Sequence, residues 1–163
     1  MTATEMRRAV AVHSRGQWPE DRIVDTVTLA FLDRHRRRIR LISDSGTPFL
    51  LDLPHARHLA DGDGLALDGG GFIRVCAAVE PVLDIETADR ASLLRIAWHL
   101  GNRHLPLQVV GDRLRIREDQ VIAEMVSGLG GGITRCEAAF DPEFGAYAGP
   151  AHDHHAGHEH RED

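Results

Sequence analysis

The order in which apolar periodicities follow one another between Phe72 and Phe140 leaves this chain few folds to choose from. Phe72 to Asp84 (FIRVCAAVEPVLD) is a strand run with Pro81 near its exit. Ala88 to Leu100 then places Ala91, Leu94, Ala97 and Trp98 at steps of three and four, the spacing of a helix, and Gly101 stands just past its end, where a left-handed residue belongs. Leu105 to Val110 and Arg113 to Arg117 read as two strands joined through Gly111 and Asp112. Asp119 can cap a second helix with a core face of Ile122, Met125, Val126 and Leu129, ending at Gly130. Ile133 to Phe140 is a last strand. Strand-helix-strand-strand-helix-strand is the ferredoxin-like split pattern. Its first and last strands are neighbours, so Cys76 and Cys136 could lie close together, and their contact is left open. Two cysteines 60 residues apart fit neither a disulfide scaffold nor a zinc ribbon, so free thiols are expected.

Upstream the rhythm differs. Arg7 to His13, the β-branched run inside Asp21 to Leu32, and Arg36 to Ser43 read as short strands. Asp44, Ser45 and Gly46 supply turn chemistry before PFLLDL, and Asp61-Gly62-Asp63-Gly64 precedes LALDGGG. Many short strands parted by Gly and Asp predict a small sandwich or open barrel. The expected architecture is therefore α+β: a β-rich N-terminal domain over 1–72, a ferredoxin-like domain over 73–141, and a disordered His-rich tail over 142–163. The tail is assigned on composition, because AHDHHAGHEHRED holds no large apolar residue that could offset its ordering entropy.

Charge narrows the partners. The formal net charge is −6, from 25 acids and 19 bases, and every base is Arg. An acidic chain is a poor general binder of nucleic acid, whose affinity comes mainly from neutralised phosphates. The strongest basic run, Arg34 to Arg40, has no aromatic stacking platform beside it and reads as a solvated strand face or a docking patch for an acidic partner. No run approaches the ~18 apolar residues of a membrane span. The opening MTATEMRR has no apolar h-region, so a secretory signal is not expected and the expected compartment is the cytoplasm. The triple glycines lack the continuation of a phosphate-binding loop, and no catalytic triad or dyad pattern is evident, so no enzyme is expected.

The 11 histidines carry more information. Five stand in the tail: His152, His154, His155, His158 and His160. Imidazole suits nickel, copper and zinc alike, and its pKa of about 6.5 leaves it ready to coordinate near neutrality. Several on one tether chelate together because linkage raises their effective concentration. Raw affinity follows the Irving–Williams order, so selectivity for one metal needs availability or a better-shaped site. The candidate on the folded part is His104, just after the first helix and before a strand. One imidazole holds a dication poorly, but two copies related by a two-fold axis set the same residue against itself. His55 and His58 read as exposed loop residues, His13 and His35 as surface residues, and His99 as a helix-end residue.

At these residues the chain resembles the UreE family of urease accessory proteins, which are nickel metallochaperones. HLGNRHLPLQV (His99 to Val109) looks like the family's signature around its nickel-binding histidine, and FDPEFGAYAGPAHDHHAGHEH (Phe140 to His160) like its exit into a His-rich terminus. The resemblance implies Ni(II) as cargo, with Zn(II) or Cu(II) competing. It implies a homodimer that grips nickel between two copies of His104, with the tail histidines binding further metal. It implies delivery to the accessory GTPase UreG and, through it, to apo-urease with its other accessory proteins. Some relatives carry a second His-x-His site on the strand leading into the second helix; here that stretch is Glu118-Asp119-Gln120, so no such site is expected.

Overall fold

The computed structural model describes residues 6–145; residues 1–5 and 146–163, with all five tail histidines, lie outside the described residues. The fold is α+β, a β-rich N-terminal sheet followed by a ferredoxin-like unit.

Six strands make the first sheet: β1 (Arg8–His13), β2 (Ile23–Leu29), β3 (His35–Ile42), β4 (Pro48–His58), β5 (Gly64–Leu67) and β6 (Phe72–Ala77). Their order is β2-β6-β5-β1-β4-β3, with β1 parallel to β4 and β2 parallel to β6. Alternation along β4 sends Phe49, Leu51 and Leu53 inward, where they pack with Val27, Leu65, Ile73 and Val75. The two edges meet at one end. Asp44, just past β3, donates its N–H to the Thr26 carbonyl at 2.8 Å, and its carboxylate accepts from the Thr28 hydroxyl at 2.8 Å. Where the sequence predicts a small sandwich or open barrel, the structure has one six-stranded sheet whose two edge strands are joined at one end by this polar clasp rather than by a ladder.

The second unit runs β7 (Val79–Glu86), α1 (Arg90–Asn102), β8 (Gln108–Val110), β9 (Arg113–Arg117), α2 (Gln120–Gly128) and β10 (Gly132–Ala139). Its sheet has the order β10-β7-β9-β8, antiparallel throughout, with both helices packed on the face carrying Leu83, Ile85, Leu114 and Ile116. On the other side Asp84 lies directly opposite Arg115 and accepts two hydrogen bonds from its guanidinium, at 2.6 and 2.9 Å. That pairing holds the Asp84 carboxyl below the usual carboxylate range.

Three further expectations need correction. The run over 72–84 is two strands, not one: Phe72–Ala77 pairs with β2 and β5 as part of the first sheet, and the chain changes sheets at Ala78. Cys76 therefore faces Thr28 in the first sheet while Cys136 faces Val82 in the second, so the two free thiols are not on neighbouring strands. On α1 the buried face is Leu93, Ile96, Ala97 and Leu100, leaving Leu94 and Trp98 61% and 64% exposed. The helix carries two apolar stripes at helical spacing, and the described residues bury only one of them.

Candidate metal site

His104 owes its position to the way α1 stops. The helix opens on Asp89, whose carboxylate accepts the Ser92 N–H at 2.8 Å, and Leu93, Ile96 and Leu100 bind it to the sheet. It runs one residue past Gly101, which sits inside the last turn and does not end it. The left-handed residue is His104, at φ 57°, among the described residues the one non-glycine with positive φ. Its N–H donates to the Gly101 carbonyl at 2.9 Å and the Leu105 N–H to the Leu100 carbonyl at 3.3 Å. That pair of bonds is a Schellman cap with histidine where glycine is usual. Leu105 packs on the same core as Leu100, completing the cap's apolar contact, and Pro106 prevents the helix from resuming.

A left-handed L-residue costs about 1 kcal/mol or more, though histidine visits that region more readily than most residues. The consequence is placement. His104 is exposed on a turn pinned by two backbone bonds, and its side chain makes no hydrogen bond to any described residue. Next to it runs the unburied stripe of α1: Ala91, Leu94, Trp98 and Gly101 are all exposed, and a Cβ built on Gly101 would meet nothing within 4 Å. The Trp98 ring lies edge-on to His99 at 5.0 Å, so His99 is half-covered and part of the helix surface.

The chain that follows β10 returns to this neighbourhood. The Asp141 N–H donates to the Gln108 side chain at 3.0 Å and the Glu143 N–H to the Leu107 carbonyl at 2.8 Å, three residues from His104. Arg34, 0% exposed, anchors the other side: it donates to Asp141 at 2.7 Å, to the Leu59 carbonyl at 3.2 Å and to the Phe140 carbonyl. Phe31 and Phe140 pack edge-to-face beside it, and Phe144 lies 5.1 Å from the His58 ring. Residues 140–145 thus belong to the folded body, and Pro142, expected to begin the tail, is buried. Sequence reading missed this anchor. Arg34 looks like one more member of a basic run, and its carboxylate partner stands 107 residues away.

Among the described residues, the other histidines do not gather around His104. His55 and His58 are on β4, not in a loop. His58 sits against Phe31 and Phe144, and burial together with the Arg34 cation pushes its pKa down to about 4. It stays neutral, but next to a fixed positive charge it is a poor metal ligand. His13 lies edge-on to Phe72 and His35 is exposed at the start of β3. Asp119, in the stretch Glu118-Asp119-Gln120, is the cap of α2 and accepts the Ile122 N–H at 3.0 Å. Among the described residues no three of His, Cys, Asp and Glu converge on one point. Among the described residues His104 is therefore a single exposed imidazole with no second ligating group beside it.

Residues 6–78 match the family model described as UreE urease accessory protein, N-terminal domain, and residues 80–163 match that of the C-terminal domain. The two matches meet at the change of sheet. A protein of Rhodopseudomonas palustris (strain HaA2) named urease accessory protein UreE is 55% identical over 148 residues, covering 91% of this chain and 68% of its own length. Proteins of the same name are 50% identical in Chelativorans sp. (strain BNC1), covering 86% of this chain and 90% of their own, and 42% identical in Rhodobacter capsulatus, covering 95% and 97%.

Proposed function

The chain belongs to the UreE family of urease accessory proteins, and from that premise we propose that it is a nickel carrier, not an enzyme, serving urease maturation. The observation that carries the reading is His104 itself: a histidine held at positive φ, exposed, at the end of an unburied apolar stripe. Backbone strain of this kind persists where the surroundings enforce it, and it gathers at functional positions.

The stripe of Leu94, Trp98 and Gly101 is suited to pack against its own copy across a two-fold axis, burying apolar surface and setting one His104 against another. Two imidazoles from rigid turns then hold one Ni(II) ion. The tail histidines His152, His154, His155, His158 and His160 complete the coordination and take up further ions. From Glu143, bonded beside His104, nine residues reach His152, and an extended chain of that length spans up to ~30 Å. Zinc and copper compete, because imidazole accepts all three metals. Protons compete as well, so falling pH favours release. Loosely completed ligation suits hand-over to the GTPase UreG and on to apo-urease and its other accessory proteins. The setting is the cytoplasm; among the described residues no helix is long and apolar enough to cross a membrane.

Native mass spectrometry of the full chain with limiting nickel tests the site. The expected species is two subunits with one ion, and His104→Ala should remove that ion while keeping the fold. Retention of the tight ion by the variant would falsify the assignment. Nickel held equally by isolated subunits would point instead to a general metal buffer.

A further inference from the structure

The basic run at residues 34–40 divides into two unlike parts. Arg34 is consumed inside the protein, anchoring residues 140 and 141. Arg36, Arg37, Arg38 and Arg40 lie on β3, an edge strand whose one ladder among the described residues is with β4. Arg36 is held by Asp33 at 3.0 Å, and Arg38 approaches Asp52 at 3.6 Å, a carboxylate that Arg8 also engages. Arg37 and Arg40 are exposed and make no hydrogen bond or ion pair with any described residue. Four guanidinium groups within five residues, with no carboxylate on the strand, leave a concentrated positive edge on a chain of net charge −6.

The chain holds a matching counter-charge. Residues 146–163 contain Asp153, Glu159, Glu162 and Asp163 against a single Arg161. The starting point of that segment is fixed by geometry: Phe144 packs on His58, and His58 is the register partner of His35, the first residue of β3. Whatever follows Gly145 therefore sets out from one end of the arginine strand. Eight residues of β3 span about 26 Å, and the nine steps from Phe144 to Asp153 reach up to ~30 Å.

We propose that residues 146–163 dock by charge along the exposed edge of β3, with their carboxylates facing Arg36, Arg37, Arg38 and Arg40. Each exposed pair is weak and screened by salt. The tether makes the pairing intramolecular, so a few weak pairs suffice at low ionic strength. Docking also covers an edge that would otherwise be open to other strands, which natural sheets avoid.

Amide NMR spectra of the metal-free full chain at low salt test the proposal. The comparison is with the full-length variant carrying Asp153→Asn, Glu159→Gln, Glu162→Gln and Asp163→Asn together. The amides of residues 36–42 should differ between the two chains, and the difference should vanish near 0.5 M salt, where the screening length is about 4 Å. Tenfold dilution should leave it unchanged. Arg37→Glu with Arg40→Glu, both exposed positions, should free the tail amides in the same way as neutralising the tail. Coincident β3 signals in the two chains overturn the proposal, as do differences confined to α1. A difference lost on dilution also overturns it, placing the segment on a second copy.

Discussion

The two helices of the second unit end in the same motif with different residues at its left-handed position. After α2 the Gly130 N–H donates to the Ser127 carbonyl and the Gly131 N–H to the Val126 carbonyl, each at 3.0 Å, with Gly130 at φ 86°. After α1 the same two bonds form with His104 at φ 57° and Leu105 behind it. The α2 end is built for closeness: a Cβ on Gly131 would stand 2.5 Å from Val126 Cγ1 and 2.9 Å from Ile96 Cδ1. The α1 end accepts backbone strain and keeps two side chains, Leu105 half-buried against the core and His104 presented to solvent. Equal geometry with unequal residues separates what the cap requires from what the site requires.

The largest effect should come from the α1 end. Both His104→Ala and His104→Gly should lose the tight nickel ion proposed for this turn, a deficit beyond the ~10–100-fold that removal of an outer-shell partner costs. Titration calorimetry reads this, and unchanged tight stoichiometry in either variant breaks the division of labour. The pair also separates strain from ligation: His104→Gly should be about 1 kcal/mol more stable than His104→Ala, or ~2–4 °C in Tm. Next, Gly131→Ala should cost about 2–3 kcal/mol through overpacking, seen as an earlier denaturation midpoint with nickel affinity kept. Gly130→His should cost about 1 kcal/mol and gain no tight nickel; if it gains one, the presenting turn alone makes the site. Smallest of all, Gly101→Ala fills an open position inside a helix and should stabilise the subunit by about 0.5–1 kcal/mol. A simultaneous fall in dimer affinity, followed by dilution, would place Gly101 at the seam.

Much of the second unit was legible because its periodicities are local. The cap at Asp119, the Gly111 turn and the strand order follow from residues close together in sequence. The failures have a common physical source. Two apolar stripes on one helix are equivalent until something covers one of them, so Leu94 and Trp98 passed for core. Ala77 and Ala78 carry no turn chemistry, so the change of sheet between β6 and β7 left no mark. Gly101 drew the helix end toward itself because glycine is the usual residue at that position. His104 was identifiable from its loop position and from resemblance, but its strained φ was not, since three-dimensional packing of Leu100 and Leu105 enforces it.

Fastening residues 140–145 to the body through Arg34, Gln108 and Leu107 has a consequence for how such chains can diversify. What comes after Gly145 inherits a set departure point, so extra residues there leave the cores untouched. Doubling the length between departure point and ligand adds only ~0.6 kcal/mol to the entropy of closing the loop. Additional imidazoles can thus accumulate at that end, or be lost from it, with little thermodynamic penalty and no redesign of the fold.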